Sequence, residues 1–377
     1  MITRTIQKEI ESCFFKGKAV ILLGARQVGK TTLVREIARS CKGPSLYLNC
    51  DETDIVQQLT ATTTTQLAAL IGRNKLIIID EAQRVKNIGL TLKLLVDAFP
   101  ERQILATGSS SLDLADEIVE PLTGRKYEFH LYPLSLSELG QELSPLEINR
   151  LLERLIVYGT YPEIVIKTDE SERLLSMLAS SYLYRDLFRY QDIRRPELLE
   201  KLLVALALQI GQQVSYTELA NTLGVTKETI STYVQLLEKA FVIFRLGPFS
   251  RNLRSELTRT RKIYFHDTGI RNALIRNFTP SHMRNDWGVL WENFMISERW
   301  KFLSNSGRQV NRYFWRTHSQ QEIDLIEESG GQLDGYEIKW REGKIRGAKA
   351  FLAGYPESRI SLITQENYRE FVGIQAG

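Results

Sequence analysis

Through the first 130 residues, apolar positions come in short unbroken runs rather than in alternation: Ala19–Leu23, Ser45–Leu48, Lys75–Ile79 and Arg102–Ala106. Between them lie amphipathic stretches of helical period near 30–41, 64–72 and 86–98. Strands with no polar alternation are buried on both faces. Their regular interleaving with helices predicts a parallel sheet covered on both sides. Lys126–Leu131 reads as a fifth strand. From 135 to 210 the pattern turns helical, with Ser144-Pro145 and Arg195-Pro196 marking helix boundaries. Two closely spaced helical segments and then strands fill 212–275, and a looser stretch at 276–284 reads as a linker. The last ninety residues read as helix, strands and helix. The expected domains are therefore an α/β core at 1–134, a helical lid at 135–210, a small helix-and-strand domain at 211–276 and a terminal α/β domain at 285–377.

Composition changes this picture little. The 377 residues are 43% hydrophobic and 25% charged, an ordinary globular balance. The net charge of +4 is too small to argue for a polyanionic partner, so only local clustering can. Three scattered cysteines, Cys13, Cys41 and Cys50, give neither a disulfide framework nor a paired metal motif. The N-terminal residues alternate charge with apolarity, unlike a signal peptide. The longest apolar run, Leu202–Leu208, is far short of a membrane span. The expectation is a soluble, cytoplasmic protein without a membrane partner.

Chemistry enters at Gly24-Ala25-Arg26-Gln27-Val28-Gly29-Lys30-Thr31, which satisfies G-x-x-x-x-G-K-[ST] between an apolar strand and a helical pattern. Such a loop wraps phosphates with backbone N–H groups at a helix N-terminus. Lys30 is expected to reach the β- and γ-phosphates, and the Thr31 hydroxyl, beside Thr32, to ligate Mg²⁺. About fifty residues on, Leu76-Ile-Ile-Ile-Asp80-Glu81 ends an apolar strand in two carboxylates. Asp80 is expected to hold the Mg²⁺ of bound ATP, and Glu81 to polarise the attacking water as general base. Thr107 and Ser109, at the end of a further strand, are candidates for sensing the γ-phosphate, with helix capping the competing role for Ser109. Arg125 is a candidate arginine finger, in cis or across a subunit interface, or a plain surface residue.

Together, the loop at 24–33, Ile79–Arg84, Thr107–Ser110 and Gly124-Arg125 resemble a prokaryotic branch of the AAA+ ATPases. In that branch the ATPase core is joined to a winged helix and a C-terminal restriction-endonuclease-like domain. The resemblance implies ATP and Mg²⁺ as cofactors and suggests a homo-oligomeric ring, with a monomer using a cis arginine as the other reading. Tyr158-Gly-Thr-Tyr-Pro162 resembles the family's Gly-Gly-x-Pro turn, with Thr160 in place of glycine, and implies that Pro162 lies on the adenine side.

Val214–Gly224 reads as a helix capped by Ser215 and Gly224, and a second helix starts at Thr226, giving helix-turn-helix spacing. Ile230, Tyr233, Val234 and Leu237 form its buried stripe, leaving Lys227, Ser231, Thr232 and Gln235 outward. Phe241–Leu246 and Lys262–Phe265 read as wing strands, joined by a loop carrying Arg251, Arg254, Arg259 and, at its end, Arg261. That footprint points to DNA, with Lys227, Ser231, Gln235 and the four arginines as contacts. A winged helix used only for packing is the other reading. In the last domain, Asp324 followed by Glu337-Ile-Lys339 fits the D…(D/E)xK pattern of restriction-like nucleases, with Ile323 where proline often precedes the aspartate. Asp324 and Glu337 would share a second divalent cation, with Glu292 and Lys339 nearby. Cleavage, or a retained fold used only for docking, are both open at this point. Two overall readings follow: an ATP-driven DNA-engaging machine, or a signalling or scaffolding ATPase whose later domains bind protein.

Overall fold

The structure, a computed structural model, describes residues 2–108, 121–182, 195–250 and 261–374. The chain divides into two compact units, the first made of Arg4–Pro133 with Lys239–Phe241, the second of Leu134–Glu238 with the chain from Val242 onward.

In the first unit, β1 (Ala19–Leu23), β2 (Ser45–Asn49), β3 (Leu76–Asp80), β4 (Gln103–Gly108) and β5 (Lys126–His130) form one sheet in the order β2-β3-β4-β1-β5. Every pairing is parallel. Each residue of β1, β3 and β4 is buried, whereas β2 and β5 are partly exposed. The runs at β1, β3 and β4 are thus buried on both faces as expected, whereas Ser45–Leu48, read as a buried run, lies in the edge strand β2 and is partly exposed because one side of it has no neighbouring strand. Helices Lys30–Ser40, Thr53–Leu59, Thr64–Ile71 and Ile88–Ala98 connect the strands. Helix Lys30–Ser40 turns Leu33, Val34 and Ile37 inward. Thr63 and Gln66 close a reciprocal capping box at the start of the third of these connecting helices, accounting for the threonine-rich run there.

The second unit opens with helices Leu136–Leu139, Pro145–Tyr158, Pro162–Ile166 and Ser171–Met177, followed by Pro196–Leu208. Ser144 caps the Pro145 helix, with proline at its first turn. A seven-stranded sheet follows, built from β6 (Gln213–Val214), β7 (Ile243–Pro248), β8 (Arg261–Phe265), β9 (Asn311–Arg316), β10 (Glu322–Ser329), β11 (Gln332–Ile338) and β12 (Arg359–Ile363). Its order is β12-β11-β10-β9-β7-β8-β6. The residues read from sequence as a small helix-and-strand domain and as a terminal domain therefore share one sheet, because β7 pairs in parallel with β9 through Gly247↔Tyr313 and Pro248↔Phe314. The stretch 276–284 lies within this unit; Arg284 is buried and donates to Asn277 O at 2.9 Å.

Helix Trp287–Asn305 is the first helix of the terminal stretch 285–377, and nine successive residues of it, Leu290, Trp291, Glu292, Asn293, Phe294, Met295, Ile296, Ser297 and Glu298, are all buried. Its polar residues face the interior because each has a partner there: Asn293 bonds both the N–H and the carbonyl of Phe265, at 2.9 and 2.8 Å, and Ser297 donates to His266 O at 2.6 Å. Buried polar groups of this kind hold only when satisfied.

Candidate functional site: the phosphate loop and the carboxylates of the first sheet

β1 delivers the chain into the loop, and Gly29, at φ 98, caps helix Lys30–Ser40. A left-handed residue is needed there to turn the loop's N–H groups toward one point, which glycine allows at no steric cost. Ala25 and Val28 are buried anchors, whereas Arg26 and Gln27 lie on the outer side. The loop is braced from below by Arg4, whose guanidinium donates to Val28 O and Tyr132 O, each at 2.7 Å. Lys30 is buried, and its Nζ donates to Gly24 O and Ala25 O, both at 2.8 Å. The ammonium is thereby held inside the curve of the loop, one residue before Thr31.

The register of the sheet brings the acids to the same edge. Asp80 ends β3 beside β4, where Ile79 pairs with Ala106. Thr31 Oγ1 donates to Asp80 Oδ2 at 2.8 Å, and Thr107 Oγ1 donates to Asp80 Oδ1. Thr107 Oγ1 also accepts the N–H of Glu81 at 3.0 Å. Glu81 sits at φ 55, a left-handed conformation that costs a non-glycine residue free energy and is found where the surroundings enforce it. Gln83 Nε2 donates to Glu81 Oε2 at 2.6 Å and fixes the carboxylate's direction. Lys30, Thr31, Asp80, Glu81 and Thr107 are therefore gathered at one end of the parallel sheet, where open α/β sheets bind ligands. Thr32 points outward, Ser109 lies outside the described residues, and Pro162 opens helix Pro162–Ile166 in the second unit.

A cis arginine finger at position 125 is not what the geometry gives. Arg125 O accepts the N–H of Ala19, the first residue of β1, at 2.9 Å. The loop leaves from the far end of that five-residue strand, and five residues of strand span about 16 Å. Arg125 Nε instead pairs with Asp97 Oδ1 at 2.7 Å on the surface.

Tyr47 belongs to the site although nothing in the sequence marked it. From β2 its hydroxyl donates to Asp80 Oδ2 at 2.5 Å, and the Arg35 guanidinium lies 5.0 Å from its ring centre. Burial, then the hydrogen bond and charge of Asp80, push the phenol up to about 12. A raised phenol favours the folded state fully below the unfolded value near 10, and that contribution fades as pH rises toward 12. In an ultraviolet difference titration of wild type against Tyr47→Phe, the missing phenol should titrate near 12. In an Asp80→Asn background its midpoint should drop; an unmoved midpoint would deny the contact.

In the second unit, Asp324 on β10 and Glu337 on β11 occupy neighbouring strands, and Glu292 comes from helix Trp287–Asn305. What gathers around them differs from the expected shared metal. Among the described residues, no group of three or more His, Cys, Asp or Glu is disposed to hold a metal ion. Lys262 of β8, fully buried, places its Nζ 3.1 Å from Glu292 Oε1 and 3.6 Å from Asp324 Oδ1, and in contact with Glu322 Oε1. Burial by itself lowers the ammonium's pKa, but the charges of Glu292, Asp324 and Glu322 outweigh it, and the net shift is well upward. Glu337 pairs instead with Lys339 at 2.9 Å. Lys262 was read only as part of a wing strand.

On the helix Lys227–Lys239, Lys227 and Gln235 are exposed, and Ser231 is half-buried. Arg261 begins β8; Arg251, Arg254 and Arg259 lie outside the described residues.

Residues 16–140 match a family described as an AAA domain. Residues 149–281 and 287–373 match two domains of unknown function, DUF8612 and DUF4143. An uncharacterized protein of Mycobacterium tuberculosis is 30% identical over 343 residues, covering 89% of this chain and 73% of that one. An uncharacterized protein of Methanocaldococcus jannaschii is 25% identical over 346 residues, covering 86% of this chain and 75% of its own length. A Walker-type ATPase of Pyrococcus abyssi shares the fold at a TM-score of 0.52 and 17% identity, over 73% of this chain and 96% of that chain. No helix among the described residues is long and apolar enough to cross a membrane. The chain thus belongs to the family of the mycobacterial protein, and through its AAA domain it is an ATP-binding P-loop ATPase.

Proposed function

We propose that this ATPase is Mg²⁺-dependent and that it engages DNA, using turnover to rearrange its second unit. The observation that carries the nucleotide part is the meeting of Thr31 and Thr107 on Asp80 at the end of the sheet, with the N–H of Glu81 donated to the same Thr107 hydroxyl. The donor set fits a magnesium ion. A hydroxyl and a carboxylate oxygen lie 2.8 Å apart beside the phosphate loop, so Thr31 and Asp80 are the residues that would hold it. Bound there with ATP, the ion supplies neutralising charge on the phosphate oxygens. Lys30 steadies the β- and γ-phosphates. Glu81 takes the proton of the attacking water.

A two-helix unit turns at Gly224, in left-handed conformation, and is followed by the antiparallel β7–β8 pair. Lys227 and Gln235 are exposed on its second helix, and Arg261 stands at the start of β8. If these contact phosphates, the logarithm of affinity for duplex DNA falls linearly with the logarithm of salt, by about 0.9 per phosphate neutralised. Lys227→Ala and Arg261→Ala should each flatten that slope by about one unit. Binding that is absent, or that ignores salt with and without an ATP analogue, removes DNA from the account.

A second reading has its own observation. Ile166 (72% exposed), Met283 (68%) and Leu208 (61%), all in the second unit, are large apolar side chains left open. They suit a protein partner, and an ATPase of this kind would show no stimulation by DNA.

A further inference from the structure

A restriction-like reading of Asp324 and Glu337 implies a divalent cation held by those carboxylates, and the donor set around them does not fit one. We infer that the carboxylate cluster of the second unit is locked by an internal cation, the Lys262 ammonium, which takes the place a metal ion would need, so that the cluster joins strands and does not cleave phosphodiesters.

The contacts occupy both oxygens of Asp324 and of Glu322, and leave Glu337 Oε2 buried without a hydrogen-bond partner. Lys262 Nζ faces Glu292 Oε1 at 3.1 Å, Asp324 Oδ1 at 3.6 Å and Glu322 Oε1. The other oxygen of Asp324 accepts the N–H of Ile338 at 2.9 Å, and that of Glu322 pairs with Arg316 at 3.2 Å. Tyr264, also on β8, donates its hydroxyl to Glu292 Oε1 at 2.7 Å. Glu337, the carboxylate of the E-x-K pattern, is tied to Lys339 at 2.9 Å, and Lys339 donates to Lys344 O at 2.7 Å. Four carboxylates thus meet three cations supplied by the chain itself. A metal ligand must be a lone pair facing the ion, whereas an ammonium carries three donors and no acceptor. As a fixed positive charge, Lys262 also repels any second cation brought to the same oxygens. What the cluster does hold together is clear from its origins. Lys262 and Tyr264 come from β8, Glu292 from helix Trp287–Asn305, and Glu322 and Asp324 from β10. Those elements span the two stretches that the sequence assigns to separate domains.

The test is Mn²⁺ binding followed by paramagnetic resonance, on the full chain without nucleotide and in an Asp80→Asn background that removes the acid of the phosphate site. With Lys262 intact, no bound Mn²⁺ should depend on Asp324. One ion per chain that disappears on Asp324→Asn would overturn the inference. With Lys262→Ser the expected result is a lower unfolding midpoint and one Mn²⁺ per chain, lost again when Glu292→Gln is added. A folded Lys262→Ser chain whose midpoint matches the parent would also overturn it. Should Lys262→Ser not fold, the first measurement stands alone and decides the matter, and the refusal to fold agrees with an ammonium that holds the elements together. In parallel, duplex and branched DNA should stay intact with Mg²⁺ or Mn²⁺, and cutting that is abolished by Glu337→Ala would contradict the lock.

Discussion

Replacing Glu81 with glutamine should leave ATP bound and slow its turnover at least about 100-fold, the lower end of what a general base contributes. Glutamine keeps the size of the side chain and removes only its ability to accept a proton. The position is already constrained: its backbone is left-handed at φ 55, its N–H bonds Thr107 Oγ1 at 3.0 Å, and Gln83 grips the carboxylate at 2.6 Å. The constraints on the backbone survive the substitution, so nucleotide affinity should change little. Single-turnover phosphate release, with equilibrium nucleotide binding alongside, separates the two quantities. Turnover equal to wild type would place the base elsewhere.

The second large effect concerns the Tyr158-Gly159-Thr160-Tyr161-Pro162 turn, and it is an effect on folding. Gly159 is left-handed at φ 74, and a Cβ placed there would lie 2.0 Å from Asp267 Oδ1. Asp267 is in no position to retreat. It is buried, accepts Thr160 N at 2.7 Å, and caps helix Thr268–Leu274 through Ile270 N at 3.1 Å. Thr160 Oγ1 in turn accepts a hydrogen bond from Lys301 Nζ at 2.8 Å, and Lys301 pairs with the buried Glu298 at 2.6 Å. Gly159→Ala should therefore destabilise the second unit by more than about 4 kcal/mol, in the range reserved for steric conflict within a buried polar network. The comparison without the clash is Gly224→Ala, whose backbone, at ψ 41 against ψ −167 for Gly159, is also the easier one for a Cβ. Gly224 is also left-handed, at φ 67, but has no atom within 4 Å of the added Cβ. There the conformational penalty acts alone, at about 1–2 kcal/mol. Denaturant unfolding of both variants checks the difference. Similar losses for the two would mean that Asp267 does not press on Gly159.

Much of the first unit was legible because its signals are local. An unbroken apolar strand such as Leu76–Ile79 declares its own burial, and a phosphate loop declares its backbone through its glycines. The parallel sheet anticipated from those runs is present, and the AAA match covers the same residues. Tyr47 and Arg4 were illegible because each acts across a long sequence separation, Tyr47 on Asp80 and Arg4 on Val28 and Tyr132. Nothing about a tyrosine in a strand announces which carboxylate it will meet. Arg125 was left with three roles open, finger in cis, finger in trans or plain surface residue, for a related reason. A motif gives its order along the chain but not which end of a strand it occupies, and Arg125 pairs with the start of β1. Lys262 is the extreme case. It reads as one more residue of an alternating strand until the pairing of β7 with β9 continues the sheet from β8 to β10 and brings the two sides of the cluster together. Periodicity predicts strands, but not the neighbours they choose.

The central claim is that the loop around Lys30 grips the triphosphate. Equilibrium titration of a fluorescent ATP analogue into the wild-type chain and into Lys30→Ala, each with Mg²⁺, tests it most directly. Saturable binding to the wild type that weakens at least about tenfold in the variant, a loss of about 1.4 kcal/mol, is the predicted result. Equal affinity in the two chains, or none in a folded wild type, would contradict it.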